Sequence, residues 1–178
     1  MVDVISLIEK FYPEGEARDI ITKHSEDVRD LALEICENHP ELGADKDFVV
    51  EAAMLHDIGC FMVDAPGIYC YGRAPYIAHG YLGSELLQKE GLPRHALVCE
   101  RHTGVGLSAE YIKKAALPIP LRDMCPVSIE EKIVCFADLF YSKANLGKRK
   151  SKNKVSEKLQ KHGDDNVQTF HEWCKMFL

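Results

Sequence analysis

The sequence predicts an all-α protein of one domain, and three observations support this prediction. Apolar residues recur at the helical period along most of the 178 residues. Residues that cap or break helices stand between these periodic stretches. No stretch alternates polar and apolar residues for long enough to predict a strand, and no Pro- or Gly-rich linker divides the chain. The length suits a single core, so we expect one domain over residues 1–178.

The N-terminal part of the chain is predicted to form three helices. The first covers residues 3–11 and the second covers residues 17–38. The second carries a set of apolar residues at the helical period, namely Ile20, Ile21, Val28, Leu31, Ala32 and Ile35. Asp47 is interpreted as the N-cap of the third helix, and Gly59 lies just past its end.

Residues 60–75 are predicted to form a loop. They contain four residues that favour turns, which are Pro66, Gly67, Gly72 and Pro75, and they show no periodicity of their own. An irregular stretch of this length inside a compact domain is typical of a functional loop. We therefore interpret it as a lid or a substrate loop.

The C-terminal part of the chain is also predicted to be helical. The expected helices cover about residues 75–90, 93–102, 108–116 and 128–145. Ser108 is interpreted as an N-cap, and Ser128 with Glu131 matches a capping box. Two further helices are expected in a C-terminal tail over about residues 148–178. The sequence leaves the role of this tail open among core packing, a lid and a dimer contact.

Composition predicts a soluble cytoplasmic protein. Hydrophobic residues make up 46% of the chain and charged residues 28%, which is typical of globular domains. No apolar run approaches the roughly 18 residues of a membrane span, and the first residues lack the features of a signal peptide. The seven cysteines include no Cys-x-x-Cys pair, which favours reduced thiols. The net charge of −6 argues against duplex DNA as a partner, and a homodimer is left open.

Six histidine and aspartate residues carry the strongest functional signal. His56 and Asp57 are adjacent at the end of an apolar helix, where two neighbouring side chains can both reach one site. The full set is His24, His56, Asp57, His79, His102 and Asp138. Imidazole and carboxylate groups suit Fe, Mn, Zn, Co or Ni rather than a metal that selects thiolates. Six such ligands are enough for two metal ions.

Two of these residues also have a purely structural interpretation. His24 lies on the apolar face of its helix, where a lone histidine is more often a hydrogen-bonded core residue. Asp138 lies in an apolar stretch, where a carboxylate is costly unless it is paired, hydrogen-bonded or bound to a metal. A structural ion pair is therefore the alternative for Asp138.

Four basic residues are candidates to hold the phosphates of a substrate, namely Arg73, Arg101, Lys143 and Arg149. Guanidinium and ammonium groups form strong hydrogen bonds with phosphate oxygens. Arg101 is favoured among them because it adjoins His102. For each of the four, the alternative is an ordinary solvated charge on the surface.

The chain resembles the HD superfamily. The residues that carry the resemblance are His24, His56-Asp57 and Asp138, in this order and on predicted helices. His79 in His-Gly-x-x-Gly and His102 in Arg-His-Thr-Gly resemble the branch with a two-metal site. The resemblance covers about residues 20–145 and extends to HDIG-type phosphohydrolases, including symmetrical dinucleoside tetraphosphatases.

The resemblance implies a helical bundle with a metal site in its core. It assigns one ion to His24, His56, Asp57 and Asp138, and a second ion to His79 and His102, with Asp57 bridging the two. Iron is favoured, with Mn, Zn, Ni, Co or Mg as alternatives. The implied reaction is hydrolysis of a phosphate ester or phosphoanhydride by a hydroxide shared between the ions. His56 and Asp57 would be the catalytic residues, and the substrate would be a small phosphorylated molecule, with a nucleotide favoured.

Two other functions use the same residues. Some HD proteins with this ligand set are mixed-valent di-iron oxygenases, and six ligands in this order do not separate the two chemistries. A nucleotide-binding regulatory domain is the third candidate, although such a domain has no need to keep all six ligands. The likeness of the Arg-His-Thr-Gly and Ala-Asp segments to phosphohydrolases favours hydrolysis.

Overall fold

Helices account for most of residues 2–178, which are the residues that the computed structural model describes. In chain order they are α1 (Val4–Phe11), α2 (Glu16–Asn38), α3 (Lys46–Leu55), α4 (His79–Lys89), α5 (Pro93–Arg101), α6 (Ala109–Lys114), α7 (Ile129–Leu139), α8 (Lys152–Gln160) and α9 (Asp164–Phe177). The predicted all-α fold class is therefore confirmed. Among residues 2–178, no helix combines the length and the apolar character that crossing a membrane requires.

Several helix boundaries differ from the prediction, and hydrogen bonds explain two of the differences. Helix α3 is capped by Asp45 rather than Asp47, because the Asp45 carboxylate accepts a hydrogen bond from the amide of Phe48 at 3.1 Å. Helix α7 ends at Leu139, although its predicted end was near residue 145. The backbone amide of Lys150 donates to the carbonyl of Phe140 at 2.8 Å, and its ammonium donates to the carbonyl of Leu139 at 3.1 Å. Lys150, which lies outside the helix, therefore supplies hydrogen-bond donors to the carbonyl groups at the end of α7.

The predicted loop over residues 60–75 contains local structure that the sequence did not reveal. Two short antiparallel strands, β1 (Asp64–Ala65) and β2 (Cys70–Tyr71), pair with Asp64 opposite Tyr71. The 3-10 turns Ile58–Met62 and Tyr76–Ala78 flank this hairpin, and Pro66–Ile68 lies at its tip. Strands of two residues are too short to produce a pattern of alternation, which is why the sequence predicted none.

The largest hydrophobic cluster joins α2, α3, α5 and α7 to the two helices of the tail. The tail contributes five buried residues to it, namely Val155, Leu159, Phe170, Trp173 and Phe177. The ring of Phe136 on α7 lies 5.7 Å from that of Phe170 and 5.2 Å from that of Phe177. Each fully buried side chain of this kind contributes about 1.5–3 kcal/mol. Of the roles that the sequence left open for the tail, the structure shows core packing.

Glycines allow α4 to approach its neighbours closely. A Cβ atom on Gly80 would lie 2.9 Å from the carbonyl oxygen of Cys99 on α5, and one on Gly83 would overlap the Cys99 sulfur. Backbones can come this close only where the side chain is absent. The contact holds the start of α4 beside the end of α5. These two ends carry the candidate ligands His79 and His102.

Candidate metal centre

The six residues selected from the sequence converge on one place in the core. His24 comes from α2, His56 and Asp57 follow α3, His79 begins α4, His102 follows α5, and Asp138 lies near the end of α7. Their ligand atoms form two groups that share Asp57, and within each group all atoms lie within 4.8 Å of one another. One group consists of His24, His56, Asp57 and Asp138, and the other of Asp57, His79 and His102.

Asp57 has one carboxylate oxygen on each group. Its Oδ2 atom lies 3.1 Å from the Nε2 atoms of both His24 and His56. Its Oδ1 atom lies 3.4 Å from Nε2 of His79 and 3.5 Å from Nε2 of His102. The Asp57 backbone has φ −107° and ψ 12°, outside the helical region, so Asp57 does not continue α3. This is the arrangement that a bridging carboxylate requires.

Three of the histidines are oriented by the same backbone contact. The Nδ1 atoms of His56, His79 and His102 lie 2.6, 2.7 and 2.7 Å from the carbonyl oxygens of Ala53, Tyr76 and Cys99, three residues earlier in each case. A carbonyl oxygen only accepts hydrogen bonds, so each Nδ1 carries the proton. Each Nε2 atom of a neutral ring therefore presents a lone pair to the site. Metal-ligating histidines are typically oriented in this way.

The donor set fits bound cations. The Nε2 atoms of His79 and His102 lie only 3.1 Å apart, and two lone pairs at that distance repel unless a cation lies between them. Among the described residues, both ring nitrogens of His24 and Nε2 of His56 have no hydrogen-bond partner. Metal bonds of about 2.0–2.2 Å place neighbouring ligand atoms about 3.0–3.5 Å apart. The Nε2 atom of His24 lies 3.0 Å from Oδ1 of Asp138, within that range.

The electrostatics of the two groups differ. Burial lowers the pKa of His56, but the charges of Asp57 and Asp138 outweigh burial and raise that pKa to about 10. Burial lowers the pKa of His79 to about 3, so the ring of His79 is neutral. Burial raises the pKa of Asp57, whereas Lys143 and His56 hold it well below its ordinary range. Both aspartates are therefore charged, and the group around His24 and His56 attracts positive charge.

Lys143 is the one basic candidate that lies at the cluster. Its ammonium is 2.5 Å from Oδ2 of Asp57 and donates a hydrogen bond to the hydroxyl of Tyr76 at 3.1 Å. The ring of Tyr76 is stacked on that of His79, with 4.7 Å between their centroids. Burial lowers the pKa of Lys143, but the adjacent Asp57 raises it well above its ordinary value. Lys143 therefore carries a fixed positive charge beside the candidate ligands.

The other three basic candidates lie elsewhere. Arg101 forms an ion pair with Glu131 at 2.9 Å. Arg149 lies 3.6 Å from Glu34, and Arg73 is exposed on the loop. None of these three side chains lines the cavity that opens from the cluster.

Three side chains form contacts beside the cluster that were not found from the sequence. The hydroxyl of Tyr12 donates to the carbonyl of Ile58 at 3.1 Å and accepts from the amide of Phe61 at 3.0 Å, which fixes the chain just after Asp57. The buried thiols of Cys99 and Cys135 lie 3.0 and 3.3 Å from the carbonyl oxygens of His56 and His102. These partners are separated by 33 to 49 residues, and no local pattern signals such contacts.

A cavity of about 890 Å³ opens from the cluster. His24, Asp138 and Lys143 lie at its inner end. The turn that follows His102 and the tail helix α8 both contribute to its lining. The volume is near the upper end of the roughly 300–1,000 Å³ typical of small-molecule sites.

Comparison with known proteins identifies the family of the chain. The family model described as the HD domain matches residues 21–142. This chain belongs to the HD domain family. The matched residues include all six candidate ligands, so the whole cluster lies within the HD domain.

Curated relatives share this part of the chain. A tRNA (cytidine(56)-2'-O)-methyltransferase of Picrophilus torridus is 35% identical over 123 residues, which cover 68% of this chain and 31% of that protein. An uncharacterized protein of Methanocaldococcus jannaschii is 36% identical over 115 residues, which cover 64% of this chain and 59% of that protein. The chain thus matches about a third and about three fifths of the lengths of these relatives.

Solved HD domains share the fold. The HD domain of the L. monocytogenes phosphodiesterase PgpH matches with a TM-score of 0.55 and 16% identity, over 97% of this chain and 95% of that one. The same domain in complex with cyclic-di-AMP matches with a TM-score of 0.55 and 15% identity, over 97% and 94% of the two chains. At these identities the likeness concerns the fold.

Replacing His102 in this HD domain with alanine should remove one metal equivalent and leave the other. The expected reason is that His102 touches only the Oδ1 side of Asp57, away from His24. Metal content measured by mass spectrometry checks this, with circular dichroism as the test of folding. His95→Ala is the matched control, because His95 is also buried on α5 but is bound to Glu51 at 3.0 Å outside the cluster. Equal metal content in the His102 variant and the wild type would contradict a second site.

Proposed function

We propose that this HD domain is a metal-dependent phosphohydrolase that cleaves a phosphate ester or phosphoanhydride of a nucleotide. The observation that carries the proposal is the division of the Asp57 carboxylate between two histidine groups at the inner end of a cavity. Two metal ions held this way supply Lewis-acid activation of both a phosphate group and the attacking water. His24, His56, Asp57 and Asp138 would hold one ion, and His79 and His102 with Asp57 the other.

The side chains at the inner end of the cavity support a phosphate group as the ligand. Lys143 directs one N–H to Asp57 and one to Tyr76, and an ammonium group has three. The third can bind a phosphate oxygen and stabilise its negative charge. Tyr76 covers one face of His79, which shields that ligand from water. The chain therefore binds and orients the phosphate with a fixed cation next to the cluster.

A nucleotide is supported by the size and lining of the cavity. Its walls combine apolar residues with the aromatic rings of Tyr76, Tyr111 and Tyr141, which suit a base and a sugar. The PgpH HD domain, which has the same fold, has been solved in complex with cyclic-di-AMP, also a nucleotide. Iron is our first choice of metal, and it is one of the metals that a donor set of imidazole and carboxylate suits.

The test is phosphate release by the purified protein after loading with Fe, Mn, Co, Zn, Ni or Mg in turn. A panel of nucleotides and simple phosphate esters serves as substrate. We expect release of phosphate that depends on the metal and stops on chelation. Asp47→Asn is a matched control, because Asp47 is exposed on α3 and has no role at the cluster.

The alternatives give different results in the same samples. Oxygen consumption with a polyol or phosphonate, without phosphate release under any metal, would identify a di-iron oxygenase and overturn the proposal. Tight nucleotide binding without turnover would instead identify a regulatory domain.

A further inference from the structure

Tyr12 connects the N-terminal helix α1 to the metal cluster. It directly follows α1, is buried, and lies outside residues 21–142, which the HD domain model matches. Its ring meets that of Phe61 edge-on, with 5.5 Å between the centroids, and Phe61 is also stacked on Phe11 at 5.7 Å. These contacts of α1 are therefore a feature of this chain beyond the residues that the family model matches.

The hydroxyl of Tyr12 is bonded to both ends of one backbone turn. It donates to the carbonyl of Ile58 at 3.1 Å and accepts from the amide of Phe61 at 3.0 Å. These two residues are three apart, the spacing that one hydrogen bond of a 3-10 turn joins. They belong to the turn Ile58–Met62, which begins directly after Asp57. A single hydroxyl therefore holds this turn in place relative to α1.

The same turn also contacts α4 and the bridging carboxylate. A Cβ atom on Gly59 would overlap the carbonyl oxygen of His79, so the backbones of the turn and of α4 touch. The thiol of Cys60 lies 3.5 Å from Oδ1 of Asp57. That oxygen is the one that faces His79 and His102, at 3.4 and 3.5 Å. A displacement of the turn therefore changes the distance between Oδ1 and these two histidines.

The two ions depend on Asp57 to different degrees. The first ion has three candidate ligands besides Asp57, namely His24, His56 and Asp138. The second ion has only two, His79 and His102. A misplaced Asp57 therefore removes a larger share of the ligands from the second ion than from the first.

We propose that Tyr12 is a positioning residue, which through the turn Ile58–Met62 holds Asp57 in place for the second ion. This rests on the two-metal centre of the proposed function, and it does not depend on which reaction the centre catalyses. Groups that orient the ligands of a metal typically change its affinity about 10–100-fold when they are removed. The N-terminal helix thus sets how tightly the HD domain holds its second ion.

The experiment titrates wild type and Tyr12→Phe with Co²⁺ after chelation has removed bound metal. Phenylalanine keeps the ring and removes only the hydroxyl. Imidazole and carboxylate ligands suit Co²⁺, and its visible absorption changes with its coordination, so the titration reports both affinity and geometry. We expect the second equivalent to bind about tenfold more weakly in Tyr12→Phe, with an altered absorption band. The affinity of the first equivalent should change by less than about threefold.

Ile8→Val is the matched control for lost stability. Ile8 is buried on α1 one turn before Tyr12, and its side chain has no polar atom. Both substitutions should lower the melting temperature by about 2–6 °C. The control should nevertheless keep both Co²⁺ affinities and the wild-type absorption spectrum, because it leaves the hydroxyl of Tyr12 in place.

An unchanged second affinity in Tyr12→Phe, or an equal weakening of the two ions, would overturn the proposal. A second ion weakened as much in Ile8→Val would also overturn it, since lost stability would then explain the effect. A wild type that takes up fewer than two Co²⁺ ions would overturn the two-metal centre and this role of Tyr12 together. The expected loss in a protein that releases no phosphate would support the role of Tyr12 and reject the proposed hydrolysis.

Discussion

Replacing Asp57 with alanine should release both metal ions and reduce phosphate hydrolysis by about 10³-fold or more. The physical reason is that each Asp57 oxygen faces a different histidine group, so one substitution removes a ligand from both. Metal content and phosphate release measure the two effects. Retention of one or both metal equivalents would contradict the bridging role, whatever the change in activity.

The control for this experiment has to separate metal loss from unfolding. Alanine at position 57 removes the carboxylate partner of the Lys143 ammonium. The Lys143 side chain is only 11% exposed, and an unpaired buried charge costs about 3–5 kcal/mol. The double variant Asp57→Ala/Lys143→Met removes both charges. It should recover most of that stability in urea unfolding but should still bind no metal. Asp57→Asn, which keeps the volume of the side chain, should likewise lose metal.

Replacing Gly59 with alanine should destabilise the protein by about 3 kcal/mol or more. A Cβ atom there would lie 2.5 Å from the amide nitrogen and 2.8 Å from the Cα atom of Gly83, and would overlap the carbonyl oxygen of His79. These are backbone atoms at the start of α4, which cannot turn aside as a side chain can. For a chain of this length, the loss corresponds to a fall in melting temperature of about 6–12 °C.

The same substitution should also weaken metal binding, because it separates Asp57 from His79 across the contact between Gly59 and Gly83. Gly67→Ala is the matched control, since a Cβ atom at Gly67 has nothing within 4 Å and its backbone has no positive φ. That variant should change stability by less than about 0.5 kcal/mol. A Gly59→Ala protein with wild-type stability and metal content would show that this contact relaxes at little cost.

The ligand set shows how much of the site can be predicted from local sequence. Imidazole and carboxylate groups are recognisable as ligand types wherever they occur, and a charged residue such as Asp138 in an apolar helix is conspicuous because burial without a partner is costly. The sequence therefore selected six residues, and the structure brings all six together. His95, the remaining buried histidine among the described residues, was not selected, and it lies outside the cluster with Glu51.

The basic residues show what cannot be predicted from local sequence. Arg101 was favoured as a phosphate ligand because it adjoins His102, but its side chain points to Glu131, 30 residues later. Arg149 was also a candidate, whereas the neighbouring Lys150 lines the cavity. Adjacent residues in a turn point in different directions, and their direction depends on which distant partner the chain meets.

The sequence by itself determined the helical class, the family and the types of ligand, because helical periodicity and side-chain chemistry are properties of short segments. The tertiary structure decided the rest. It decided that the two oxygens of Asp57 face different histidine groups, that Lys143 is the cation beside them, and that the tail helix α8 forms a wall of the cavity. These features depend on contacts between residues far apart in the chain, and such contacts are fixed only when the helices pack around one core.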